Sequence, residues 1–222
     1  MTSWRVLFLA TLLSLGAATA SGMQEVSEPS EADAADIAAA VNGWLAETTT
    51  LSADFVQTNA KGETARGKLY LKRPGRLRFE YSDGTPLLLV SDGEVLSFID
   101  YDVGQVTRWP IGDTALTPLV DPAFRIDGDN AMLGALPLET GERLLLVSLT
   151  DSDKPDRGNL TLAFSQTAED GVRLLGWEVM DAEGGITRID LENVEKNRSL
   201  ASSLWQFDDP RRLPSERRRR GR

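Results

Sequence analysis

A mainly β (α+β) fold, one large and strongly curved antiparallel sheet with a helix against it, is predicted from three observations. Runs of strand length that alternate apolar and polar residues recur from Leu51 almost to the far end, with turn residues between them. The stretches between those runs are mostly too short for crossover helices, so neighbouring strands should run antiparallel. One long segment alone, near the amino-terminal end, carries apolar residues at spacings of three and four.

That segment is expected to be a helix starting at Asp33. Ala34, Ile37, Ala38, Val41 and Leu45 form its apolar stripe, and Asp33 and Asp36 sit where negative charge suits the helix dipole. The threonines at 48–50 end it. Gly43 lies inside the stripe at a cost of about 1 kcal/mol against Ala, so packing has to stabilise this helix.

The strands follow in order. Residues 51–72 read as two strands around a turn at Asn59–Gly62, and RLRFEY alternates Leu77, Phe79 and Tyr81 against Arg76, Arg78 and Glu80. Asp83-Gly84 turns into TPLLLV, and Ser91-Asp92-Gly93 turns into EVLSFIDY. From Pro110 to Thr140 alternation fades, and short helical or irregular pieces are expected, one of them around Ala131–Leu136. Strands resume at RLLLVSLT, NLTLAFS, VRLLGWEVMD and ITRIDLENV, with SLWQF at 203–207 as the last candidate. Nine to eleven strands and one helix make a sheet whose apolar face needs a cover. A second sheet, barrel closure or a helix across the concave side would each supply one. A single helix too small to fill a wide barrel favours the last, with an apolar pocket beneath.

The ends of the chain differ from the body. Residues 1–20 have one cation, an apolar run and a small-residue ending at Ala18-Thr19-Ala20, the layout of a secretory signal cleaved near Ala20. Residues 21–32 read as a disordered leader, 33–210 as one β-domain and 211–222 as a disordered basic tail. The chain holds 24 basic and 34 acidic residues for a net charge of -10. Setting aside Arg5 and the seven arginines and one glutamate of 211–222 leaves 16 basic and 33 acidic residues, a body of about -17. Such a body repels nucleic acid, and the run at 217–220 reads as a solvated end.

Histidine and cysteine are absent, which removes the Ser-His-Asp triad, the cysteine nucleophile and His- or Cys-ligated zinc. No cofactor or metal is expected, and no catalytic residue. Asp127-Gly128-Asp129-Asn130 lacks the later positions of a calcium loop and reads as a turn, as does Asp151-Ser152-Asp153. Trp44, Trp109, Trp177 and Trp205 are read as core.

One block is more specific. ADFVQT at 53–58, GKLYLKRPGRLRFEY at 67–81, LLVSDGEVLSFID at 88–100 with GQV at 104–106, and the closing stretch 176–210 together resemble the periplasmic outer-membrane lipoprotein carrier proteins of the LolA type. The resemblance implies an unclosed antiparallel barrel with helices as a lid over an apolar cavity. It also implies a non-enzymatic carrier in the periplasm. Such a carrier takes acylated lipoproteins from an inner-membrane ABC-type releasing complex and passes them to an outer-membrane acceptor or membrane. Each acyl methylene kept from water is worth about 0.8 kcal/mol, which is why the chains need an escort.

By motif position, Arg73 with Pro74 is expected to latch the lid and govern onward transfer, its partners being backbone carbonyls at a lid-helix C-terminal end. Leu69, Leu71, Leu77 and Phe79 are expected to line the cavity, with Val41 and Leu45 on the lid stripe. Tyr81, Phe55 and Phe98 are further candidates, since either sheet face is open to that role. A monomer is expected. LTPLVDPAF departs from the family by its Pro122, so a shortened second part of the lid is expected. Two alternatives remain on the same sequence: a periplasmic binder of another apolar ligand or envelope lipid, and, further off, a carboxylate-based hydrolase.

Overall fold

The computed structural model describes residues 30–82, 84–128, 130–150, 158–169 and 171–212. The signal segment, the leader up to residue 29, the Asp151-Ser152-Asp153 turn and the tail beyond Arg212 lie outside those residues, as does Asp129 of the rejected calcium loop.

Helix α1, Glu31–Glu47, begins two residues before the expected Asp33 because Ser30 is its cap. The Ser30 hydroxyl accepts from the Asp33 amide at 3.2 Å and donates to the Asp33 carboxylate at 2.7 Å, closing the first turn. Eleven strands follow: β1 Thr50–Thr58, β2 Thr64–Lys72, β3 Arg76–Tyr81, β4 Leu87–Asp92, β5 Val95–Asp100, β6 Gln105–Pro110, β7 Ala131–Pro137, β8 Arg143–Thr150, β9 Asn159–Thr167, β10 Gly171–Met180 and β11 Ile186–Lys196. Between β6 and β7 come a 3₁₀ turn at Ile111–Asp113 and the four-residue helix α2, Thr117–Val120, which stops before Pro122.

All eleven strands form one antiparallel sheet in the order β6-β5-β4-β3-β2-β1-β11-β10-β9-β8-β7. It is two meanders, β1 to β6 and β7 to β11, stitched where β1 pairs with β11. Its two edges, β6 and β7, are consecutive in the chain, and among the described residues no pairing joins them. The sheet is therefore an unclosed barrel whose gap is spanned by the 111–130 connection. Bulges tighten its curvature, one on β10 between Leu174 and Gly176 and one where β1 meets β11. Gly176 has φ 155°, and a Cβ there would stand 2.1 Å from the Ile189 carbonyl oxygen, so only glycine lets β10 bend this closely onto β11.

Two expected elements take another form. Ala131–Leu136 lies in strand β7, because continuous register pairing with residues 143–149 of β8 outweighs the helix preference of Ala, Met and Leu. SLWQF is not a strand: Ser202–Trp205 is a 3₁₀ turn lying against β3 and β4. By then β11 is paired on both sides, so no sheet edge is within reach. Its carbonyls are met by a side chain instead: the Arg78 Nη1 donates to Leu204 O at 3.1 Å and to Gln206 O at 3.2 Å. Phe207 then covers a small outer cluster of Leu88, Val90 and Ile99.

One large apolar cluster fills the concave side. It joins Ile37, Val41, Trp44 and Leu45 of α1 to inward rows of the sheet and to Ile111, Leu119, Val120 and Ile126 of the connection. The helix and the connection together form the cover, the arrangement favoured over sandwich and closed barrel. Of the four tryptophans read as core, Trp44, Trp177 and Trp205 are buried; Trp109, on edge strand β6, is 45% exposed.

Candidate functional site: the arginine at the end of β2

Arginine 73 occupies the turn between β2 and β3. Its amide donates to Thr49 O at 2.9 Å, extending the β1–β2 ladder by one bond, and the Arg73–Pro74 peptide is cis. Pro74, with no N–H, ends that ladder. Gly75, at φ 72°, donates its amide to Val120 O at 3.0 Å; a Cβ there would come within 2.1 Å of Gly93 O. The turn is thus wedged between the end of α2 and the β4–β5 turn, and only glycine fits.

The Arg73 side chain reaches two helices. Its Nε donates to Leu119 O of α2 at 2.8 Å, and its Nη1 donates to Leu45 O in the last turn of α1. The final carbonyls of a helix lack partners within it and carry the negative end of its dipole. Here three of the last four are met by groups from outside the helix. Trp44 O accepts from the Thr48 amide at 3.1 Å and hydroxyl at 2.7 Å, Leu45 O accepts from Arg73, and Glu47 O accepts from Asn197 Nδ2 at 3.0 Å. A planar multi-donor cation suits this work, since one side chain can serve carbonyls on separate elements.

Burial pushes the Arg73 guanidinium down to about 10; nearby Arg125 acts in the same direction and Asp121 opposes it. It stays cationic at neutral pH, but the site disfavours its charge relative to water. The bonds to the two helices are accordingly held against a desolvation penalty.

The rows that lead to this arginine face the cover. Leu69 pairs with Phe79 and Leu71 with Leu77, and all four are buried in the main cluster with Val41 and Leu45. Phe55 packs edge-on to Phe79, Tyr81 and, through Phe79, Trp177, with ring centroids 5.1, 5.3 and 6.1 Å apart. The Tyr81 hydroxyl donates to Gln57 Oε1 at 2.7 Å, so its ring turns inward while its polar end stays on the rim. Phe98 lies on the same face by register, in line with Leu89 and Phe79, yet it is only half-buried and outside the packed cluster. Eight of the eleven expected positions thus lie in or against one apolar cluster, with Arg73 bonded to carbonyls of two of its members, Pro74 exposed in the turn and Phe98 toward the open β6 edge.

Sequence reading missed Asn42. Its Nδ2 donates to Ile126 O at 2.8 Å and its Oδ1 accepts from the Ile126 amide at 2.8 Å, tying α1 to the 111–130 connection. The available signal was slight: a polar residue beside the apolar stripe of α1. The Asp127–Asn130 turn closes on itself, with each side chain accepting from the other's amide at 3.1 and 3.0 Å.

An open antiparallel sheet whose inner face is shut by helices, with an arginine at the junction, defines the class of lidded half-barrels. The chain belongs to the family described as outer membrane lipoprotein carrier protein LolA, whose model matches residues 46–208. An outer-membrane lipoprotein carrier protein of Chromobacterium violaceum is 34% identical over 199 residues, covering 88% of this chain and 91% of that one. One from Legionella pneumophila is 30% identical over 172 residues, covering 73% and 80%. Among solved structures, a LolA superfamily protein from Nitrosomonas europaea covers 78% of this chain and 97% of its own at 12% identity, with a TM-score of 0.41.

Proposed function

We propose that the mature chain, cleaved near Ala20, is a periplasmic carrier that shields the acyl chains of lipoproteins between the membranes. It accepts them from an inner-membrane ABC-type releasing complex and passes them to an outer-membrane acceptor or to the membrane itself. Family membership supports carriage, and one geometric observation supports the manner of it: a single guanidinium holds both covering helices to the wall. Acyl chains can occupy the concave face only where α1 and α2 move off it, because Val41, Leu45, Leu119 and the wall leucines are buried against one another. Arg73 is the one side chain bonded to both helices, so such a movement must break its bonds, and the desolvation it suffers when closed lowers the cost of doing so.

The test separates loading from delivery. Wild-type protein secreted to the periplasm should co-purify with a diacylated lipoprotein and release it to outer-membrane vesicles. Arg73→Leu should still load cargo, because the apolar face is intact, but hold it: transfer to vesicles is expected to fall by an order of magnitude or more. Normal delivery by Arg73→Leu would remove the latch role. Recovery of free lipid with no attached polypeptide would replace lipoprotein by another apolar ligand.

A further inference from the structure

Two buried donors at the C-terminal end of α1 have no acceptor among the described residues: the Trp44 Nε1 and the Arg73 Nη2. Each belongs to a side chain whose remaining contacts are accounted for. The Trp44 ring is 4% exposed, stands edge-on to Phe164 at 5.3 Å and has the Lys196 ammonium 5.9 Å from its centroid. Arg73 uses its Nε and Nη1 on Leu119 O and Leu45 O and leaves its third arm over. The two are joined through α1, since Leu45, which accepts from Arg73, is the next residue after Trp44.

Native interiors seldom leave such groups unmet, because a buried donor without a partner forfeits its bond to water and gains nothing. Both orphans border the main apolar cluster, where acyl chains would enter. An acyl chain is apolar along its length but carries one strong acceptor, the carbonyl oxygen of its ester or amide linkage. A face that buried methylenes alone would leave that carbonyl as unmet as these donors.

Resting on the carrier reading above, we propose that Trp44 Nε1 and Arg73 Nη2 are the polar subsite of the lipid-binding face. They donate to carbonyl oxygens of the linkages joining the fatty acyl chains to their headgroup. The apolar face then reads chain length, and these two donors set how deep the headgroup end sits.

The probes are two synthetic lipopeptides of equal chain length, one with ester-linked acyl chains and one with ether-linked alkyl chains, titrated against the full mature protein. The wild type is expected to bind the ester form roughly threefold to tenfold more tightly, the yield of one or two net hydrogen bonds. Trp44→Phe keeps a ring against Phe164 and removes the donor, and is expected to bring the ratio toward one while binding of the ether form holds. A second measurement needs no folding-competent variant: the Trp44 indole proton resonance of wild-type protein should move downfield with the ester probe and not with the ether probe. Equal wild-type affinity for the two probes, an unchanged ratio in Trp44→Phe or an unmoved indole signal would overturn the subsite and leave carriage intact. Failure to bind either probe would overturn carriage as well.

Discussion

At the scale of single residues, the contrast between Arg73 and Glu178 shows how burial is put to different uses. Arg73 is charged, partly desolvated and bonded to two helix carbonyls. Glu178, half-buried on β10 beside Arg188 and Asp190, has its carboxyl pushed up by burial, with Arg188 opposing and Asp190 adding to the shift. The folded state therefore holds the Glu178 proton more tightly than the unfolded chain does. Its contribution to stability declines as pH rises through the unfolded value near 4.5, and above the folded value the buried charge is a standing cost. Glu178→Gln should raise the denaturation midpoint at pH 7, with the gain disappearing below about pH 4, as chemical melts at the two pH values will read. Arg73 was legible through its place in the KRPG motif that resembles the family, since an arginine at a strand end before Pro74 would otherwise read as an ordinary solvent-facing charge. Asn42 was not, since a lone polar residue at the margin of a helical stripe is ordinary and its partner Ile126 is remote in sequence.

At the scale of elements, legibility followed how much of each element's character is local. The strands with clean alternation, β2 and β3 among them, were read because one face is buried and the period of two is unbroken. β7 and the 202–205 turn were misread for opposite reasons. The first has helix-forming residues that pairing with β8 holds extended; the second has strand-forming residues with no edge left to join. Helix α1 lies between these cases. Its stripe was plain, but Gly43 weakens it, and its C-terminal carbonyls depend on Arg73 and Asn197, which no local pattern reveals. Gly43 is exposed, with nothing within 4 Å of where a Cβ would stand. Gly43→Ala should consequently stabilise α1 by roughly 0.5–1 kcal/mol. The check is native-state hydrogen exchange: slower exchange across Ile37–Leu45, with the strands unaffected.

At the scale of the whole molecule, the design divides into a cooperative sheet and a cover held at few points. The sheet is continuous from β6 to β7, and its central seam, β1 on β11, ties the two meanders into one body. The cover is fixed to itself and to the wall by polar ties, among them Arg73 to Leu45 O and Leu119 O, Asn197 to Glu47 O, Gly75 to Val120 O, and Asn42 to Ile126. Beneath them lies apolar contact; on the proposed carriage an incoming acyl chain replaces it nearly methylene for methylene, so that exchanging cover for cargo costs little once the ties release. The ties, more than the apolar area, should then set how often the cover opens. Asn42→Ala tests this away from Arg73. It leaves the Ile126 amide and carbonyl without their partner, at a cost of about 1–3 kcal/mol to the closed state and so roughly a fivefold to hundredfold rise in the open population. Amides of α1 and of 121–128 should exchange correspondingly faster, while those of β1, β2 and β11 keep their protection. A fluorescent fatty-acid probe should load faster in the same proportion. If the central strands lost protection equally, the cover and sheet would open as one unit, and the carrier would have to load by some movement other than lifting α1 from its wall.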